Sequence, residues 1–255
     1  MYNEAQKHEA PGYTFTVSAR RKPPNAPIFR FLRRRFGFLP LERIESLFGF
    51  VEYSPLYGGR PFQQRELSGR DVMQLNNCGI GVRLPLSNHT VSREEYEQNF
   101  EFLAKYHRKP NSVIVTNDDL ARWVREDFPD YRIDASVIKN INNTRKLDEA
   151  LDLYDEVVLP MTANEDRDFL ESITSRERIT LFANAGCAFT CPSRICYASI
   201  SKMNKHIPGA EFACSQAFKD REQLGMIDFD LEPLIDMGFR SFKLLRAAPG
   251  GKTGL

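Results

Sequence analysis

Residues 112–138 read SVIVTNDDLARWVREDFPDYRIDASVI. The run Val113-Ile114-Val115 inside Ser112–Thr116 is β-branched and apolar on successive residues, as a strand buried on both faces requires. Asp118–Phe128 carries apolar residues at helical spacing, and Tyr131–Ile138 returns to strand character. A strand, a helix and a strand in this order form a unit whose strands are parallel and whose crossover is right-handed. The same rhythm extends both ways. Leu47–Tyr53, Ile80–Leu86, Glu156–Met161, Ile179–Asn184 and Phe239–Leu245 read as strands. Ser68–Asn77, Ser92–Arg108, Thr144–Tyr154, Asn164–Ile173 and Asp230–Met237 read as helices. Ser92 and Glu95 form a Ser-x-x-Glu capping box. Seven strands alternating with helices define an α/β fold, either an open doubly wound sheet or a TIM-type (β/α) barrel. No Gly-x-Gly-x-x-Gly follows the first strand, which disfavours a dinucleotide-binding sheet. The expectation is a TIM-type barrel, incomplete or irregular because only seven strands are clear.

The chain has 255 residues, 42% of them hydrophobic and 27% charged, with a mean hydropathy of −0.44. This is the composition of a globular domain with a sizeable core. No 18-residue apolar run is present, so a membrane-spanning helix is not expected. The polar first twelve residues do not resemble a secretory signal, and the expected compartment is the cytoplasm. The net charge of +1 conceals an asymmetry. Residues 1–70 carry 12 Lys/Arg against 6 Asp/Glu, and the remainder carries 23 against 28.

That asymmetry suggests a division into three parts. Residues 1–45 are expected as an irregular basic arm, because Pro23, Pro24 and Pro27 interrupt regular structure. Residues 46–249 form the barrel, with a cysteine-bearing loop at 186–215, and residues 250–255 form a flexible tail. Seven basic residues and no acidic one lie between positions 20 and 35. Arg30, Arg33, Arg34 and Arg35 alternate with phenylalanines, as they would in a phosphate-contacting patch. A solvated face packed through its aromatics gives the same pattern. Gly250-Gly251-Lys252-Thr253 lacks the earlier glycine of a P-loop and is not read as one.

The strongest chemical signal is Cys187, Cys191 and Cys196, spaced C-x3-C-x4-C, with Cys214 after 17 further residues. Clustered thiolates bind zinc or iron–sulfur centres. Structural zinc prefers two paired knuckles, whereas three cysteines crowded together with a fourth apart suit a [4Fe–4S] cluster. Zinc remains the alternative, as do unliganded thiols. The loop follows a late strand, which in a barrel places it at the catalytic mouth. Cys78, at a helix end, reads as a buried core thiol.

With its β/α pattern, the strand Leu181-Phe182-Ala183-Asn184-Ala185-Gly186-Cys187 and its clustered cysteines, the chain resembles the collagenase-like peptidase family over roughly residues 46–246. Despite the family's name, the resemblance implies an iron–sulfur protein supporting oxygen-independent hydroxylation of RNA or of a small aromatic ring. It also implies that a partner subunit can complete the site. The cysteine spacing does not match the family residue for residue. A rival resemblance is to radical-SAM enzymes, whose usual C-x3-C-x2-C motif follows the first strand. Here the spacing is wider, the position is late and a fourth cysteine is at hand.

Other candidates follow strand ends. His89, Asn184 and Lys243 are expected to be catalytic, His89 because imidazole titrates near neutral pH. Asn88, Asn117, Lys139, Asn140 and Arg246 are expected to line the substrate site. Lys243 and Arg246, on the last strand, could hold an anionic group. Glu52, Arg83, Asp134 and Lys243 interrupt apolar strands, and charges placed there must be paired or serve a site. Trp123 reads as core. The reading with most support is an iron–sulfur oxidoreductase of hydroxylase type. An RNA-binding or complex-forming protein with a structural metal is the main alternative, and a radical-SAM-like enzyme is the second.

Overall fold

The pattern Thr14-Phe-Thr-Val-Ser18 alternates hydroxyl and apolar side chains and forms a strand, β1 (Thr14–Ser18). In the computed structural model, which describes residues 12–216, 218–220 and 223–246, this strand opens a closed parallel barrel. The others are β2 (Ile44–Phe48), β3 (Gly81–Leu84), β4 (Ser112–Val115), β5 (Arg132–Ala135), β6 (Glu156–Val158), β7 (Ile179–Phe182) and β8 (Ser241–Leu244). Each strand pairs with the next, and β8 closes on β1 through Thr14↔Ser241 to Val17↔Leu244. The circuit is therefore the expected TIM-type (β/α) barrel, closed through all eight strands, with one register shift where β1 meets β2 between Phe15 and Thr16. The proposed 250–255 tail and the rejected P-loop lie outside the described residues.

Helices cover the outside. They are α1 (Ile28–Phe36), α2 (Gly69–Asn76), α3 (Arg93–Gln98), α4 (Phe100–Tyr106), α5 (Asp118–Asp127), α6 (Thr144–Leu151), α7 (Arg167–Ser172), α8 (Cys196–Asn204) and α9 (Glu232–Asp236). Both serine starts are capping boxes, Ser68 with Asp71 and Ser92 with Glu95. The single helix expected over 92–108 divides at Asn99. The Asn99 side chain donates to the Glu95 carbonyl at 2.7 Å and accepts from Ser54 at 2.8 Å, diverting the helical hydrogen-bond pattern. Trp123 packs partly buried against the core, as expected.

The boundary placed at residue 45 is corrected: residues 14–36 are the first β/α unit of the barrel, not an irregular arm. The prolines are confined to the connection, where they cost no ladder hydrogen bond. Lys22, fully buried, pairs with Asp71 at 3.0 Å and ties that connection to α2. On α1, Ile28, Phe31, Leu32 and Phe36 are buried while Arg30, Arg33, Arg34 and Arg35 face solvent. A barrel helix runs back toward the N-terminal ends of the strands, so the basic last turn lies at the end opposite the mouth formed by the C-terminal ends of the strands. Arginines in a last turn also complement the helix dipole. A tRNA titration at two salt concentrations should give the same result for wild type and an Arg33/Arg34/Arg35→Ala variant. A tenfold loss of affinity in the variant, steeper at low salt, would place phosphates on this helix.

Inside the barrel lies a buried ionic layer. Arg83 donates to Ser46 at 2.8 Å, to Asp134 and Glu156 at 3.1 Å each, and to Glu45 at 2.9 Å. Arg132 bridges Glu45 and Asp134 from the half-exposed rim. Ser112 donates to Asp134 at 3.0 Å and Thr180 to Glu156. The strand charges Arg83 and Asp134 are thus paired, as burial demands. Glu52 lies beyond β2, bonded to Lys105 and Tyr106. Cys78 is exposed, not a core thiol. It precedes β3, at the end of the barrel opposite the mouth, so it belongs neither to the core nor to the cysteine site.

Candidate metal centre and cavity

After β7 the chain leaves the barrel at its C-terminal end and carries the cysteines over the mouth. Gly186, Cys187, Cys191, Cys196 and Cys214 all line one cavity of about 600 Å³. Its floor and walls include Phe48 of β2, Ile114 of β4, Met161, Phe182 of β7 and Lys243 of β8. The four thiols are half-buried and close enough to act on one another. Burial raises Cys196 to about 11, with Cys187, Cys191 and Cys214 all adding to the effect. Burial also raises Cys187, reinforced by Cys214 and Cys191. At Cys191 burial works in the same direction but is outweighed. Ser215, Gln216 and the N–H groups of Arg194 and Ser193 hydrogen-bond the sulfur and bring it down to about 7. The Arg194 N–H lies 3.2 Å from Cys191 Sγ, and the Gln216 N–H lies 3.3 Å from Cys214 Sγ. The spacing read from sequence therefore does bring the four cysteines to one wall.

Helix α8 starts at Cys196, and several contacts hold it down. Asn88 donates to the Ser201 carbonyl at 3.0 Å and to the Pro55 carbonyl at 2.9 Å. The His89 N–H and Nδ1 meet Ser201 Oγ at 3.2 and 3.1 Å. Asn204 donates to the carbonyls of Tyr57 and Arg60, each at 3.0 Å. Asn88 and His89 thus brace the cysteine helix and do not line the cavity. Burial lowers the His89 imidazole below its ordinary value. Its contact with Ser201 is a serine–histidine pair in composition, but Ser201 is on the buried face of α8 and is not among the residues lining the cavity.

The other polar residues expected at the mouth are accounted for in the same way. Asn117 caps α5 by accepting from Leu120 N–H at 2.9 Å. Lys139 pairs with Asp118 at 2.6 Å. Asn140, in the left-handed conformation at φ 52°, accepts from Arg194, itself left-handed at φ 49°. It touches the cysteine loop without lining the cavity. Asn184 accepts from Leu245 N–H at 2.9 Å and Arg246 N–H at 3.2 Å, locking β7 to β8. Arg246 is buried against Asp228 at 2.7 Å and is likewise absent from the cavity lining. Lys243 alone of these candidates lines it. Short strands leave many loop amides unpaired, and asparagines at strand ends satisfy them.

Sequence reasoning missed two cations that share this wall. Arg20, two residues past β1, and Arg60, in the loop after β2, both line the cavity. Arg60 is held by Glu66 and stacks over Phe50 at 4.0 Å. Burial lowers Arg20 to about 10, with Arg60 adding to the effect. Lys243 is 7% exposed, and its Nζ lies 4.5 Å from the Phe48 ring centroid. Burial lowers it to about 8, assisted by Arg83 and Arg60 and opposed by Asp134 and Glu156.

These features define a class: a (β/α) barrel whose C-terminal end carries a thiol-lined, largely apolar cavity with a cationic wall. The chain is similar in fold to the solved structure of the U32 peptidase Mk0906, with a TM-score of 0.60 over 97% of this chain and 98% of that chain, at 11% identity. At that identity the likeness concerns the fold alone. No protein-family model and no curated protein sequence matches the chain. Among the described residues, no helix is long and apolar enough to cross a membrane.

Proposed function

We propose that this barrel is an iron–sulfur oxidoreductase of hydroxylase type, with Cys187, Cys191, Cys196 and Cys214 holding a [4Fe–4S] cluster. The observation that carries the reading is the gathering of four cysteines on one wall of the cavity at the barrel's catalytic end. The donor set fits the group: four soft thiol ligands, two of them accepting backbone N–H hydrogen bonds of the kind that tune cluster potential. It fits a single zinc less well. One zinc sits about 2.3 Å from each of four sulfurs and in structural sites usually takes two paired knuckles, a pattern that three crowded cysteines and a lone fourth do not follow. In a four-iron cluster each cysteine binds its own iron, so the sulfurs stand farther apart.

A bound cluster supplies one-electron chemistry at the cavity wall. The chain's own residues do the remaining work. Phe48, Ile114, Met161 and Phe182 exclude water from the cavity and offer an apolar surface to a small aromatic ring. Lys243 on β8, with Arg20 just past β1 and Arg60 in the loop after β2, places positive charge on one side of the cavity, where an anionic substituent would be held. A small substrate is favoured over RNA, because the exposed arginines of α1 lie at the other end of the barrel. We place the protein in the cytoplasm, where thiols stay reduced. Anaerobic purification followed by iron and zinc quantification tests the reading: iron in excess of zinc supports it, and zinc alone refutes it.

A further inference from the structure

Lys243 stands apart from the other buried lysine of the barrel. Lys22 is equally enclosed but is neutralised by Asp71 at 3.0 Å. The carboxylates nearest Lys243 in charge, Asp134 and Glu156, are engaged by Arg83 and Arg132 instead. Its amine therefore sits against an aromatic ring and opens into the cavity, with Arg83 and Arg60 adding like charge. A desolvated lysine beside other cations is the arrangement that turns an ammonium into a neutral, nucleophilic amine. Three guanidinium groups, from Arg20, Arg60 and Arg194, line the same cavity, Arg60 paired with Glu66 behind it and Arg194 donating to Asn140, while Asp220 is the one carboxylate among its described lining residues.

We propose that Lys243 is an imine-forming residue and that the cavity accepts a small carbonyl compound carrying an anionic group, an oxo acid. The inference rests on the reading of this cavity as the catalytic site, but not on the cluster. In the step itself, the neutral Nζ adds to the carbonyl carbon and the oxygen takes up a proton, giving a carbinolamine. Loss of water then leaves a C=N bond to the lysine. No electrons are exchanged, and the proton given up by the ammonium passes to solvent. The guanidiniums hold the carboxylate and so fix which carbon faces Nζ. With its pKa lowered to about 8, the amine is neutral at pH 7.5 in roughly two-hundredfold greater proportion than an ordinary lysine.

Pyruvate and cyanoborohydride provide the test. The reductant converts the imine to a stable secondary amine on the lysine, which peptide mapping by mass spectrometry locates. The purified wild-type protein should be labelled at Lys243 at least about tenfold faster than at exposed lysines, with Lys22 unlabelled because its amine is paired. A Lys243→Arg variant keeps the charge, should keep the far-ultraviolet circular dichroism of the barrel, and should lose the dominant adduct. An uncharged ketone of similar size should label more slowly than pyruvate. Labelling of Lys243 no faster than of surface lysines would overturn the proposal, as would equal labelling by both probes for its anionic part. Iron measured on the same preparation separates the two readings. Iron without a Lys243 adduct refutes the imine alone, and an adduct without iron refutes the cluster alone.

Discussion

Replacing Arg83 with Met is expected to destabilise the barrel by about 3–5 kcal/mol, because it strands two buried carboxylates. Asp134 and Glu156 each lose their 3.1 Å bond to the guanidinium, and both are enclosed within the barrel. Arg132 remains, bonded to Asp134 at 3.0 Å and within 3.4 Å of Glu156, but its half-exposed position at the rim cannot replace a cation at the centre. Urea denaturation reads the effect as a shift in midpoint at constant slope. A triple variant, Arg83→Met with Asp134→Leu and Glu156→Leu, should recover much of the loss, since it removes the three enclosed charges and leaves Arg132 paired with Glu45 at the rim. A loss below about 1 kcal/mol for Arg83→Met would mean that water reaches the layer and that the charges are not truly buried.

The second large effect concerns the cysteine loop. A Cys191→Ser protein, purified anaerobically, is expected to lose most of its bound iron while keeping the circular dichroism of the barrel. The serine hydroxyl is a poor substitute for the thiolate that Ser215, Gln216 and two backbone N–H groups stabilise. The strands that carry the fold, by contrast, lie below the loop. The same substitution at the exposed Cys78 should leave iron content unchanged, because Cys78 belongs to the opposite end of the barrel. Unchanged iron in Cys191→Ser would remove that residue from the ligand set.

Much of this architecture is legible in the residues. Strands β3 to β8 announce themselves through short apolar runs, whereas β2 runs Ile44–Phe48, ahead of the expected Leu47–Tyr53 and sharing only Leu47 and Phe48 with it; Ser68 and Ser92 mark helix starts where the capping boxes stand. The first unit is harder to see. Thr14–Ser18 has the alternation of a strand, but the nearby prolines and the run of basic residues draw attention to charge, which describes the surface of α1 and not its buried Phe31 and Phe36. The cysteines are legible because spacing within one loop limits how far they can separate. The polar residues after strands mislead for a physical reason. Asn117 and Asn184 satisfy backbone groups, and Asn88 and His89 brace α8, roles for which a polar residue at a loop is as necessary as it is for catalysis. Lys243 is legible as a charge in an apolar strand. Arg20 and Arg60 come from loops of different units, and only the closure of the barrel brings them beside it.

Iron and acid-labile sulfide per chain, measured on wild-type protein purified and kept without oxygen, test the central claim most directly. The four-cysteine wall predicts about four irons and an equal amount of sulfide per chain, with zinc well below stoichiometry. One zinc per chain without sulfide, or no metal retained after anaerobic reconstitution with iron and sulfide, would contradict it.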